Sequence, residues 1–269
     1  MRIDSRSRPV SLETPKTAEA KGLVLPAVLD KPKKVLNHLV DQLDATVGTD
    51  PIGPKSITLT GVKDADFASM EEKVAKLGGS GPPVLDDATR ATLDAGQVVA
   101  TFRPMGDGVV HERSMAVIDA PLDEFLEKMP LKDWGSHLAG WKGGETKPFG
   151  PGKQIERMVI GAPGKDNDMT KVESLNEERD ANGALKASTV HWEVLKSDNG
   201  TVISDTGSLR FERYGDRTLA VFDSAHQLNI YPSLMDNIPS SARDKLVGNI
   251  LTDAFAQHLR MYQNLARAP

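Results

Sequence analysis

The stretch from Ser241 to Ala266 constrains the fold more than any other part of the chain, because it contains no proline and a single glycine, Gly248. At about 1.5 Å per residue it predicts a helix roughly 39 Å long, enough to cross a whole sheet. With Leu251 as reference and about 100° per residue, Val247, Ala254, Phe255, His258, Tyr262 and Leu265 fall on one stripe. Asn249, Asp253, Gln257, Arg260 and Gln263 fall on the other side. A helix of this kind draws its stability from burying its stripe against something else.

The preceding residues supply a partner. Gln97–Arg103, Val109–Ile118, Lys153–Ile160, Met169–Glu178, Leu185–Leu195, Val202–Arg213 and Arg217–Ile230 are rich in strand formers. Short turn segments such as Asp180–Gly183, Ser197–Gly200 and Tyr214–Asp216 separate the later ones. Strands joined by short turns make an antiparallel meander, so the expected class is α+β with a curved sheet of about seven strands. Alternation assigns faces. Val190, Trp192 and Val194 share one side, with His191 and Glu193 behind them, and Leu209 and Phe211 oppose Ser208, Arg210 and Glu212. The last strand is ambiguous. One of its faces holds Ala220, Phe222, Ser224, His226 and Leu228, the other Leu219, Val221, Asp223 and Ala225. The first is taken as inward.

Composition narrows the chemistry. The chain has 269 residues, 33 basic against 38 acidic and no cysteine. The missing cysteines exclude disulfides, thiol catalysis and cysteine-based metal sites, and the net charge of -5 suits no general phosphate-backbone contact. Nucleic acid is therefore not an expected partner. The apolar run Gly22–Leu29 is broken by Pro26 and far below the about 20 residues of a membrane span. A cytoplasmic location is expected. Six histidines, His38, His111, His137, His191, His226 and His258, show no HExxH or other metal-ligand spacing, so neither a metal nor a cofactor is implied.

Residues 1–31 read as a disordered tail, with a docking anchor at Leu23–Leu29 as the alternative. Residues 32–83 read as an accessory arm. It holds a helix opened by Pro32 and stopped by Gly48, a short strand at Ser56–Thr60, and a helix capped by Asp66 with the apolar face Phe67, Met70, Val74 and Leu77. A third short helix spans Asp86–Ala95, and residues 84–269 form the main domain.

The order strand, Asp119-Ala120-Pro121, the helix bearing Phe125, Leu126 and Met129, a loop with Trp134 and Trp141, antiparallel strands and a terminal helix resembles the SRPBCC superfamily. That clan includes START lipid-transfer domains, pollen-allergen-type proteins and polyketide cyclase/dehydrase-like proteins. Gly150-Pro151-Gly152-Lys153 is similar to a glycine-rich turn of the pollen-allergen type. The chain departs from commoner members at Leu126, where many carry tryptophan, and lacks the usual aspartate after the first helix. The likeness spans about residues 108–266. It implies a helix-grip fold, with the sheet wrapped around the terminal helix and an apolar cavity between them.

On that reading the ligand-binding residues are Trp192, Leu209, Phe211, Phe222, Ser224, His226, Leu251, Phe255, His258 and Tyr262. Three functions follow. The first is non-enzymatic carriage of a hydrophobic small molecule such as a lipid, isoprenoid or aromatic metabolite. The second is a cyclase/dehydrase-like enzyme using His226 or His258 as general acid and base. The third is an interaction module contacting partners through its N-terminal arm. Glu173, Glu177, Glu178, Arg179 and Asp180 read as a solvated strand edge. Oligomeric state is left open.

Overall fold

Among the described residues, eight antiparallel strands form a single open sheet in the order β1-β2-β8-β7-β6-β5-β4-β3. They are β1 (Val99–Gly106), β2 (Val109–Ile118), β3 (Trp141–Gly150), β4 (Lys153–Ile160), β5 (Asn167–Arg179), β6 (Leu185–Ser197), β7 (Val202–Tyr214) and β8 (Arg217–Leu228). The computed structural model describes residues 61–78, 81–138, 140–161, 166–229 and 239–267. The expected tail, the helix starting at Pro32 and the strand at Ser56–Thr60 lie outside the described residues.

The strand absent from the sequence reading is β3. Its residues, Trp-Lys-Gly-Gly-Glu-Thr-Lys-Pro-Phe-Gly, do not alternate, and its register with β4 shifts at both ends. Glycine and proline are tolerated because β3 is an edge, paired on one side only. Gly144 has a further role, since a Cβ there would lie only 2.6 Å from the Arg157 carbonyl oxygen on β4. Pro151 and Gly152 form the turn between β3 and β4, with Gly152 at φ 64°.

The long terminal helix, α4, runs from Ser240 to Arg267 and packs chiefly across β2 and β1. This is the helix-grip arrangement that the resemblance implies. Val247, Leu251, Phe255, Leu259 and Tyr262 join Val110, Ala116, Ile118, Leu209, Phe211 and Phe222 in the main core. The buried stripe lies slightly round from the expected one. Gln263, expected on the outer side, is buried and donates to the Val117 carbonyl at 2.8 Å and to that of Gly96 at 3.3 Å. Val117 lies beyond the reach of β1, whose pairing begins at Val99 opposite Met115, so its carbonyl needs a donor from elsewhere.

The helix does not cover the whole sheet. Over β4–β7 its place is taken by α3 (Leu122–Lys128), entered through Pro121, and by a 3₁₀ helix at Leu131–His137. Phe125 of α3 packs at 5.1 Å from Phe211, and Trp134 of the 3₁₀ helix at 4.8 Å from Trp192.

The convex back is covered as well. The helix α1 (Asp64–Leu77) lays Phe67, Met70 and Val74 onto Ile155 and Val172. Asp66 is not its N-cap but sits three residues inside, where its carboxylate accepts from the Lys63 N–H at 2.7 Å. Gly78 ends the helix in the left-handed region at φ 76°. The shorter α2 (Asp87–Asp94), capped by Asp86, places Leu93 on Met115, Val117, Leu219 and Val221. The domain therefore has three layers, and both faces of β8 are buried. That two-sided burial is why alternation alone could not orient this strand. Among the described residues no helix is long and apolar enough to cross a membrane.

Gly248 fixes the seat of α4. The space left by its missing side chain receives the Phe102 ring of β1, and an added Cβ would clash with that ring. An alanine would favour an isolated helix by about 1 kcal/mol. Here Gly248→Ala is expected to lower stability by roughly 1–3 kcal/mol through overpacking, measurable by urea denaturation.

Candidate functional site

A sheet face that curves around a helix turns polar side chains inward together with apolar ones, and these must find partners inside. On the concave face a chain of such groups crosses three neighbouring strands. Trp192 Nε1 on β6 donates to Asp205 Oδ1 on β7 at 2.8 Å. The same oxygen stands 3.3 Å from His226 Nδ1 on β8. His226 Nε2 lies 2.7 Å from Ser224 Oγ, two residues earlier on the same strand. Ser224 and His226 are both buried, while the Asp205 side chain is 20% exposed, so the chain opens towards solvent at that end.

Glu112 stands directly across from Ser224 in the β2–β8 register and is wholly buried. Ser114 donates to its Oε1, and its Oε2 is enclosed with no hydrogen-bond partner. Burial holds the Glu112 carboxyl well above the usual carboxylate range, an effect that the hydroxyl of Ser114 only partly offsets. On the helix side, the rings of His226 and His258 flank Phe255 at 5.3 and 5.7 Å. His258 is half-buried as a residue, yet its Nδ1 is enclosed and unpartnered, as is the Tyr262 hydroxyl. Desolvation pushes His258 down to about 4 and Tyr262 above its ordinary value. His226 is also lowered by burial, against the pull of Asp205. Burial thus favours the neutral forms of Glu112, His226, His258 and Tyr262.

All ten residues expected to line the ligand site face this interior. Trp192, Phe222, Ser224, His226, Phe255 and His258 surround one region, with Phe222 and Phe255 only 4.7 Å apart. Leu209, Phe211, Leu251 and Tyr262 belong to the same core cluster. Phe211 and Tyr262 pack on each other at 5.7 Å and on Phe125, where the interior is closely filled. Asp205 and Glu112 were not foreseen. Alternation from Val110 through Glu112 and Ser114 to Ala116 and Ile118 places the carboxyl inward, but a carboxylate on a strand ordinarily reads as outward.

A second buried polar centre lies beneath the 3₁₀ helix. Lys171 Nζ sits 2.6 Å from Glu156 and 2.8 Å from Glu173, and 3.8 Å above the centre of the Trp134 ring. Glu173 also accepts from Trp134 Nε1 at 2.8 Å and from Gln154 at 2.6 Å. This overturns the reading of Glu173 as part of a solvated edge. The strand β5 is internal, and Glu173 is fully buried. Gly135 makes room for the Glu156 carboxylate, which any side chain at that position would strike. On the back of the sheet, Glu71 of α1 binds His191 Nδ1 at 2.7 Å and accepts from Ser174, and the His191 contact holds its carboxyl below the usual range.

No family model matches the chain, nor does any curated protein sequence. Solved structures similar to it include the Zhui aromatase/cyclase from a Streptomyces species, at 14% identity and TM-score 0.44, covering 59% of this chain and 94% of that one. A STAR-related lipid transfer protein from Xanthomonas axonopodis matches at 14% identity and TM-score 0.41, over 63% of this chain and 99% of that one. The lipid transfer and protein localization domain of human StarD13 matches at 12% identity and TM-score 0.45, over 76% and 99%.

The Lys171 centre yields a pH dependence. Burial, with Glu173 adding to it and Lys171 opposing, pushes Glu156 from 4.5 up to about 7. A folded value above the unfolded one means the folded state keeps a proton that the unfolded state has lost, so stability falls as pH rises from about 4.5 to 7. Glu156→Gln is expected to flatten that slope in denaturation curves taken across this range. Lys171→Met leaves two carboxylates buried together and is expected to cost roughly 3–5 kcal/mol.

Proposed function

We propose that the protein binds a hydrophobic small molecule bearing one hydrogen-bonding group, held between the concave sheet face and α4. One observation carries this reading. Three enclosed polar atoms, Glu112 Oε2, His258 Nδ1 and Tyr262 Oη, have no hydrogen-bond partner among the described residues and lie beside a core of aromatic and aliphatic side chains. Leaving a buried polar atom unpaired costs about 1–3 kcal/mol, and folded proteins rarely retain three in one region without use for them. Neutral Glu112 donates, neutral His258 and Tyr262 do either, and aromatic walls take the apolar body. A lipid, isoprenoid or aromatic metabolite with a carbonyl or hydroxyl meets those requirements. One fold hosts many functions, so the chemistry is drawn from the polar atoms.

Native mass spectrometry of gently purified protein is expected to show a co-purifying apolar molecule. Tyr262→Phe and His258→Leu remove unsatisfied atoms, so each is expected to raise the melting temperature of ligand-free protein by a few degrees while weakening retention of that molecule. Phe255→Arg is expected to abolish retention, and Asp253→Arg, on the exposed side of α4, to leave it intact. Lower ligand-free stability in Tyr262→Phe would mean that the hydroxyl is already satisfied within the protein.

A further inference from the structure

Ser224, His226 and Asp205 meet in an order with chemical meaning beyond binding. We infer that they form a nucleophile–base–orienter relay, with Ser224 Oγ as the acyl acceptor, able to hydrolyse the carboxylic ester of an apolar acid lodged in the site proposed above. The geometry supports each part. Ser224 Oγ is 2.7 Å from His226 Nε2, and the opposite ring nitrogen is 3.3 Å from Asp205 Oδ1. With Asp205 accepting from Nδ1–H, the lone pair of Nε2 is left to receive the serine proton. Trp192 Nε1 holds the same Asp205 oxygen at 2.8 Å, which fixes the carboxylate and therefore the ring. Three adjacent strands thus lock the relay, which keeps its members in place better than loops do.

The surroundings suit the reaction. Glu112 lies across from Ser224 with its Oε2 unpartnered, and burial favours its protonated form, whose O–H can meet the oxyanion that develops when a carbonyl is attacked. Gly207 is the β7 partner of Ser224, and a Cβ there would overlap the Ser224 Cβ. The glycine lets β7 approach closely beside the nucleophile. The bond changes balance with water as co-reactant. Ser224 Oγ bonds to the acyl carbon as its proton passes to His226 Nε2. The ester C–O bond breaks and the departing alcohol takes that proton. Water then attacks the acyl–serine bond, gives a proton to His226 that returns to Ser224, and releases the carboxylic acid.

Groups facing His226 are Asp205 on β7, Glu112 on β2 and His258 on α4, with His111 acting on it from the other side of β2. Asp205 is the only one that raises its basicity, so the pH profile reports on Asp205 as a positioning residue.

The test uses the full chain with two alkyl phosphonofluoridates, one methyl and one octyl, followed by intact-mass and peptide analysis. One equivalent of adduct on Ser224 is expected, with turnover of p-nitrophenyl octanoate. Both are expected to vanish in Ser224→Ala, and labelling to slow at least tenfold in His226→Gln. In Asp205→Asn the acid limb of the labelling-rate profile is expected to move to lower pH, a change that simple loosening of the fold would not produce. Circular dichroism melts show whether each variant is folded. No adduct from either probe, an adduct elsewhere, or Ser224 labelling indifferent to His226→Gln overturns the relay. If the co-purifying apolar molecule is present in native spectra while Ser224 stays unlabelled, the relay fails and binding stands. If Ser224 is labelled and no molecule is retained, the relay stands and binding fails.

Discussion

Seating α4 on β1 and β2 shuts water out of the concave face, and the behaviour of the interior groups follows from that exclusion. A histidine in water is half-protonated near pH 6.5, whereas His258 is held neutral down to about 4 because no solvent reaches Nδ1. The Glu112 carboxyl is shifted upward for the same reason. Two small features maintain the seal. The Phe102 ring enters the gap at Gly248, and the Gln263 amide closes the otherwise open Val117 carbonyl. Neither is an apolar contact of the usual kind, yet both decide where the apolar stripe rests.

The sheet is loaded from both sides, and its two faces do different work. Behind it, α1 and α2 contribute packing and surface ion pairs such as Lys153–Asp64 at 3.2 Å, which are worth little individually. In front, the polar groups are enclosed, so each hydrogen bond they make or lack carries more energy. The Lys171 centre and the Ser224–His226–Asp205 chain lie on this inner face, on opposite sides of Trp192. In the first, Lys171 Nζ lies between the carboxylates of Glu156 and Glu173. The second ends beside Glu112 Oε2, which has no hydrogen-bond partner among the described residues.

Much of this was legible beforehand. The α4 period, the inward parity of Trp192, Leu209 and Phe211, and the meander follow from apolar spacing, which is a strong signal wherever one face is dry, whereas the orientation of β8, with Phe222 and His226, does not, because both its faces are buried. What spacing could not supply was pairing between distant residues. Asp205 lies about twenty positions from His226 and reaches it only because β7 and β8 are antiparallel with Asp205 opposite His226. Glu173 reads as solvent-facing because charged side chains usually are, and nothing local singles out its partners Lys171 and Glu156. Their burial depends on Trp134 arriving from a 3₁₀ helix whose position no local pattern reveals. The strand β3 was lost to its glycines, and Gln263 to a rotation of the buried stripe by a fraction of a turn.

An open sheet has two rims, and here each is spoiled. The rim strand β1 has Pro104 beside a register shift, and β3 has Pro148 beside another. A foreign strand laid along either rim would meet a missing donor and then a lost register within a few residues. The exposed hydrogen-bonding ladder therefore cannot be extended as a continuous rail, and the sheet is shielded from lateral templating by its neighbours in a crowded solution.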